Sequence, residues 1–504
     1  MRVSDVSEIG AGVQKGQAVQ GTPYGEQLRH RALADPNAVG LVVVARDGSE
    51  EALSWDQLER QATQWGRTLA NAGAKVGSMV ALAIPNSVEL VLSTLGCWKI
   101  GAVPIPMRWD LPDWERTRLL EVIDPAVLLD EQHRAALAAA AANQPDGPLP
   151  PAISPAANGI CSSGSTGLPK VIVNVAPALW TPRHSEPFLA HWTSTVSRPQ
   201  TILVPAPMYH TNGFNTLAFL LGGDRLVVLE KFSAATVLDT IEKHHITTFT
   251  ATPTMLARIA DAPDVHERDL SSVEWILQGA AVMPPALLLR WFELLSPGQV
   301  VMAYGMTENL GLTALRGDEW LKHRGSVGRG FRDTEIRILD PHGLPLPAGE
   351  VGEIYLRAPM SGLHRYIGGA AQLPATDDGF RSAGDLGHLD SDGYLYVADR
   401  RSDLIITGGA NVYPAEVECA LAERADIADV VVLGLSDPQW GRRVHAVVQP
   451  ADPASTLTEQ EVIQYAKTRL APYKVPKTVE FVDEIPRTAA TKVSRSAMIE
   501  ARGG

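Results

Sequence analysis

Short apolar runs alternate with amphipathic helical stretches over most of this chain, and that rhythm restricts the fold more than any other feature. Met79–Ile84 is an apolar run, a helix-like stretch starts at Ser87, and residues 102–106 (AVPIP) read as extended. Further on come ILVP (202–205), LVVL (226–229), a helical stretch near 235–245, TTFT (247–250), another helix, EWIL (274–277), a helix near 285–295 and VVMAY (300–304). Strands joined through helices become parallel neighbours, and strands covered by helices on both faces read as unbroken apolar runs. The expected fold is therefore α/β, with a large N-terminal domain of doubly wound, mostly parallel sheets. One helix is legible in detail. Ser54 caps it, Gln57 completes a capping box, Leu58, Ala62, Trp65 and Leu69 share a face, and Gly73 ends it.

The texture changes near residue 400. A hairpin-like YLYVADRRSDLIITGG (394–409) is followed by a helix opening at Pro414, strands near 429–434 and 443–449, and a helix near 458–470. These elements predict a small C-terminal α+β domain, which divides the chain into residues 1–399 and 400–504. The Ala- and Pro-rich segment from Ala135 to Asn158 reads as a helix end plus a surface linker, and no fixed-period repeat is visible.

A chain of 504 residues is long enough for several lobes, and 45% apolar with 20% charged residues is ordinary for a globular protein. The N-terminus is polar, and no apolar run approaches the roughly eighteen residues that a membrane helix needs. This predicts a cytoplasmic, soluble protein without integral membrane association. A net charge of −13 argues against a general nucleic-acid binder, since phosphate backbones need a basic field. Cys97, Cys161 and Cys419 lie far apart with no C-x-x-C pair, so the expectation is separate buried thiols rather than a disulfide or zinc framework.

The chemistry concentrates first in SSGSTGLPK, Ser162 to Lys170. Its glycines let the backbone approach oxygen atoms and present N–H groups, the hydroxyls of Ser163, Ser165 and Thr166 can donate, and Lys170 adds positive charge. No Gly-Lys dipeptide supplies a Walker ending, and no G-x-S-x-G elbow marks a serine hydrolase. Taken alone, the segment reads equally as an anion cradle or as an ordinary flexible turn.

Further motifs follow in order: YGMTE (Tyr304–Glu308), GSVGR (Gly325–Arg329), the block from Gly379 through Gly384 and Asp385 to Asp399 and Arg400, GGANVYPAEVE (Gly408–Glu418), and PRTAATK ending at Lys492. With the Ser162–Lys170 loop they resemble the adenylate-forming superfamily of acyl-CoA and aryl-CoA synthetases, luciferases and peptide-synthetase adenylation domains, over nearly the whole chain. The resemblance implies an AMP-forming ligase that uses ATP and Mg2+ to convert a small-molecule carboxylic acid to an acyl-adenylate, with coenzyme A as the default acceptor. It assigns nucleotide contacts to Ser162, Ser163, Gly164, Ser165, Thr166, Gly167, Lys170, Gly279, Ala280, Ala281, Tyr304, Asp385 and Arg400. Thr307 falls near the α-phosphate, and Glu308 with Thr166 at the metal. Lys492 is the mobile catalytic lysine of the small domain, and Gly409 lies beside the pantetheine route. His210, in PMYHTNG, matches a position between acid pocket and thiol route, although a histidine after an apolar strand is also an ordinary structural residue. The SSGS and PMYHTNG stretches look like the bacterial branch that activates bile acids, steroid side chains and other bulky ring acids.

Three positions depart from the family pattern: Ser402 at the hinge, Thr491 before the catalytic lysine, and Val171 after the loop lysine. The hinge change bears on the second half-reaction, in which the small domain pivots. Lys474, Lys477, Arg442 and Arg443 are candidates for the coenzyme A phosphates and equally for solvated surface charges. An amide bond synthetase that passes the acyl group to an amine needs the same adenylation residues and is the alternative. A silent adenylate-binding module is expected to lack Lys492 or Glu308, and both are present.

Overall fold

The computed structural model describes residues 21–503 except 164–168, 282, 369–371, 401–402, 408–409 and 488–492, and only the backbone of Ser162, Ser163, Pro169, Asp399 and Arg400. The strand–helix rhythm becomes a nine-stranded sheet. Its order is Arg329–Phe331, Leu312–Arg316, Val300–Gly305, Trp275–Gln278, Thr248–Ala251, Thr201–Val204, Arg225–Leu229, Val39–Val44 and Glu50–Ser54. The inner strands are parallel, while antiparallel strands finish both edges. Alternate residues of a strand face opposite cores. Leu41, Val43, Ile202, Val204, Leu226 and Val228 pack on one side; Val42, Val44, Leu203, Val227 and Leu229 pack on the other. Burial on both faces is why these strands read as continuous apolar runs.

A second, three-stranded parallel sheet (Val103–Pro106, Met79–Ala83, Val127–Asp130) shares a helical layer with the first. That layer contains Trp55–Asn71, whose capping box of Ser54 and Gln57 is formed, and Val88–Lys99, capped by Ser87. Leu58, Ala62 and Leu69 are fully buried, as the periodicity predicts. The two helices touch at paired glycines, where a Cβ on Gly96 would lie 2.8 Å from the Gly66 nitrogen, so neither position tolerates a side chain without shifting the packing.

Two antiparallel sheets complete the larger part: Asn158–Ser163, Pro169–Asn174 and His364–Ile367 in one, and Glu335–Leu339, Gly352–Arg357, Asp385–Leu389 and Leu395–Arg400 in the other. The C-terminal sheet joins Ala410–Val412, Ile405–Thr407, Gly441–Pro450, Ile427–Asp437 and Thr478–Phe481, with Pro414–Leu421 and Glu459–Arg469 packed on it.

Two sequence expectations need correction. Residues 394–409 do not form a hairpin. Leu395–Arg400 pairs with Asp385–Leu389, whereas Ile405–Thr407 pairs with Ala410–Val412 in the C-terminal sheet. Two neighbouring apolar runs were drawn to different cores. Among the cysteines, Cys97 is buried, Cys161 is intermediate and Cys419 is exposed: the helix Pro414–Leu421 turns Val417 and Leu421 to its core and Cys419 outward. Among the described residues no helix is long and apolar enough to cross a membrane.

Candidate active site

In the parallel sheet Trp275–Gln278 and Val300–Gly305 are neighbours, so their carboxyl ends open on the same edge, where ligands of α/β sheets bind. Burial changes there. Ile276, Val300 and Val301 are fully buried, whereas Leu277, Gly279, Ala303 and Tyr304 are half-exposed and Gly305 is exposed. After the first strand the chain turns through Gly279, Ala280 and Ala281, with Ala280 in the left-handed region at φ 75° without being glycine. The buried Gln278 ties this turn down, donating from Nε2 to the Ala281 carbonyl at 2.6 Å. Among the described residues, only the Ala303 carbonyl lies within 4 Å of a notional Cβ on Gly279.

Tyr304, near the end of the second strand, donates its hydroxyl to Asp385 Oδ2 at 2.7 Å. Asp385 is 6% exposed and stands opposite Arg400 in the antiparallel register. Strand pairing thus sets the Asp385 and Arg400 positions opposite each other, and a phenol from another sheet is locked to the Asp385 carboxylate. Beyond Gly305 follow Thr307 and Glu308. Thr307 Oγ1 lies 3.2 Å from Thr211 Oγ1, at the start of the short helix Thr211–Phe214. His210 immediately precedes that helix, its ring 4.5 Å from the Tyr209 ring, and burial pushes the Tyr209 phenol up to about 12.

Glu308 sits in a polar group that local sequence does not announce. Its Oε1 accepts a 2.7 Å hydrogen bond from the Tyr366 hydroxyl and lies 3.8 Å from Lys170 Nζ. The Lys170 ammonium rests 4.2 Å above the Tyr366 ring. This follows from strand register: Tyr366 pairs with Ile172, and Lys170 lies two residues away on the same face. Burial, reinforced by Glu308, holds the Tyr366 phenol well above its usual range, so it remains a neutral donor. His364, on the same face, meets the Tyr366 ring edge-on at 5.5 Å, and burial holds its imidazole below the ordinary histidine range. Its Nδ1 is buried without a hydrogen-bond partner among the described residues.

The donor set bears on the metal. Among the described residues no group of three or more His, Cys, Asp or Glu could cage an ion. A single carboxylate on a crevice suits Mg2+, which keeps several waters and is bound through one or two carboxylates plus substrate phosphates. Glu308 fits that use, and among the described residues both of its polar side-chain contacts fall on Oε1.

The structure brings together Lys170, Thr307, Glu308, Tyr304 and Asp385 around this edge. Ser162 and Ser163 end a strand opposite Lys170 and Pro169, while Gly164, Ser165, Thr166, Gly167, Ser402, Gly409, Thr491, Lys492 and the Arg400 side chain lie outside the described residues. Lys474 is engaged internally with Glu416 at 2.5 Å, and Arg443 donates to the Ser436 carbonyl. Lys477 stands 5.5 Å over the ring of Trp440, which is 41% exposed. Trp180 donates to the Ala218 carbonyl and Trp192 stacks on Phe331 at 5.8 Å. The sequence reading missed Thr211, His364 and Tyr366. Only the proximity of Thr211 to His210 was a signal; the other two are selected by a strand pairing between segments nearly two hundred positions apart.

Comparison with known proteins agrees with this architecture. Residues 28–365 match the family model described as AMP-binding enzyme, and residues 416–492 match the AMP-binding enzyme C-terminal domain. A feruloyl-CoA synthase of an Amycolatopsis species is 33% identical over 482 residues, covering 92% of this chain and 96% of its own. The o-succinylbenzoate CoA synthetase of Bacillus subtilis, solved with its acyl-adenylate intermediate, superposes with TM-score 0.82 at 26% identity, covering 95% of this chain and 98% of the other. The amide bond synthetase of Marinactinospora thermotolerans superposes with TM-score 0.79 at 26% identity, covering 95% and 99%.

Proposed function

The chain belongs to the AMP-binding enzyme family, and on that footing we propose that it joins a small-molecule carboxylic acid to coenzyme A through an acyl-adenylate. The observation that carries this reading is the convergence of Lys170, Glu308 and the Tyr304–Asp385 pair on one carboxyl edge of the parallel sheet. A carboxylate oxygen of the acid attacks the α-phosphorus of ATP and pyrophosphate leaves; the thiol then attacks the acyl carbon and AMP leaves. The first step brings two anions together, so positioned donors and cations must offset their repulsion in a site sheltered from water.

Each residue has a part in this reading. Asp385 accepts from the ribose hydroxyls with Arg400 beside it, and Tyr304 with Gly279, Ala280 and Ala281 flanks the adenine. The Ser162–Lys170 loop, through Ser162, Ser163, Gly164, Ser165, Thr166, Gly167 and Lys170, cradles the pyrophosphate portion, and Thr307 lies at the α-phosphate. Glu308, with the Thr166 hydroxyl, would hold Mg2+, which supplies neutralisation of phosphate charge when bound. Lys492 bridges the acid and α-phosphate oxygens, and its compact ammonium suits a changing geometry. The small domain, from about residue 400, then pivots at Ser402, and the thiol arrives past Gly409 and His210. Lys477 on the exposed Trp440 face offers a cation and a ring to the nucleotide end of coenzyme A.

The superposition on an amide bond synthetase favours a second reading, transfer of the acyl group to an amine. The deciding experiment incubates enzyme, ATP and Mg2+ with aromatic, fatty and steroid acids, adding either coenzyme A or a simple amine, and identifies products by mass. Thioester supports the first reading. Enzyme-dependent amide with no thioester for any acid overturns it in favour of the second.

A further inference from the structure

We propose that Tyr366 is a positioning residue for the metal carboxylate and the loop lysine together, which makes it part of the adenylation machinery. This rests on the metal and nucleotide roles given above to Glu308 and Lys170. Its single side chain does two things at once. The hydroxyl donates to Glu308 Oε1 at 2.7 Å, and the ring face carries Lys170 Nζ at 4.2 Å. A glutamate just past a strand end has several accessible rotamers, and a donor fixed in another sheet selects one of them, saving the ordering entropy when a cation binds. Among the described residues both contacts fall on Oε1, so Glu308 would offer its other oxygen to a cation.

The geometry also makes Lys170 the resident counter-charge of Glu308, at 3.8 Å. When a divalent cation arrives with the nucleotide, the ammonium has a second place to go, the phosphate oxygens, and the aromatic face lets it travel without losing electrostatic support. Tyr366 therefore couples metal binding to phosphate binding. The register that achieves this is fixed by the neighbour of Tyr366: Ile367, on the opposite face of the same strand, packs with Val171 and Val173 of the partner strand, so a one-residue slip of His364–Ile367 would take Ile367 out of that core.

The test uses the full-length enzyme and Tyr366→Phe, which keeps the ring and removes only the hydroxyl, with Tyr366→Leu removing both. Binding of ATP is measured calorimetrically with Mn2+ and, separately, with EDTA, and enzyme-bound Mn2+ is read by electron paramagnetic resonance; thermal melts check folding. For Tyr366→Phe the expected result is Mn2+ bound roughly tenfold more weakly in the ATP complex, with ATP affinity in EDTA unchanged. For Tyr366→Leu ATP affinity in EDTA falls as well. Wild-type Mn2+ affinity in a folded Tyr366→Phe protein overturns the proposal, because a merely structural tyrosine is satisfied by phenylalanine. A wild-type enzyme whose ATP binding is indifferent to Mn2+ overturns instead the underlying reading of Glu308.

Discussion

Replacing Asp385 by alanine probes the nucleotide site most directly. The carboxylate is 6% exposed and already accepts the Tyr304 hydroxyl at 2.7 Å, so its orientation is set before a ligand arrives. Two ribose hydroxyls donating to a carboxylate contribute ~1.5–3 kcal/mol each, and their joint loss weakens ATP binding roughly 10²–10⁴-fold. Asp385→Asn preserves shape and one acceptor but no charge, and is expected to fall between wild type and Asp385→Ala. Tyr304→Phe keeps the ring and leaves the carboxylate in place, so ATP affinity drops by less than about tenfold. Removing Asp385 also takes away the acceptor that the half-buried Tyr304 hydroxyl uses, at a stability cost of about 1–3 kcal/mol, which a urea titration separates from the binding effect. The assay is calorimetric titration of each folded variant with ATP and Mg2+, without acid. An Asp385→Ala protein that binds ATP within about threefold of wild type refutes the ribose assignment.

Three further outcomes follow from the same reasoning. Lys492→Ala should abolish acid-dependent pyrophosphate exchange while retaining ATP binding; exchange near the wild-type rate removes Lys492 from the mechanism. Lys99 is 5% exposed in its side chain and bonded to Glu59 at 2.7 Å, so Lys99→Met leaves a buried carboxylate unpaired and is expected to cost about 3–5 kcal/mol in denaturant titration, with Lys99→Met/Glu59→Leu recovering most of it. Asp224 is fully buried, and burial raises its carboxyl to about 6. Below about pH 4 the group is protonated folded and unfolded, whereas from there to about 6 only the unfolded state ionises; stability from this group therefore falls as pH rises, by about 3 kcal/mol in total. The melting temperature of Asp224→Asn relative to wild type should climb between pH 4 and pH 7, and a constant difference contradicts the burial account.

How much of this could be read from the chain depends on how far apart the interacting residues are. The helix Trp55–Asn71 was legible to its cap because Ser54, Gln57 and the Leu58–Leu69 face act within a few turns of one another. The parallel strands were legible because burial on two faces writes itself as unbroken apolar sequence. The YGMTE segment and Asp385 were legible as motifs, since each is a short run whose chemistry is carried by consecutive residues.

Tertiary structure decided what local pattern does not encode. Residues 394–409 contain two strand-forming runs, and only the cores waiting for them sent one to the sheet of Asp385 and the other to the C-terminal sheet. Cys419 is apolar enough for a core but sits on the outer side of its helix. Tyr366 lies 58 residues from the glutamate it grips, on a strand whose partner begins at Pro169. The sequence by itself determined the alternation of strands and helices and the candidate residues for a nucleotide site, because those follow from periodicity and short-range chemistry. Which side chains meet across sheets was decided by register and packing, where a shift of one residue turns every side chain to the other face.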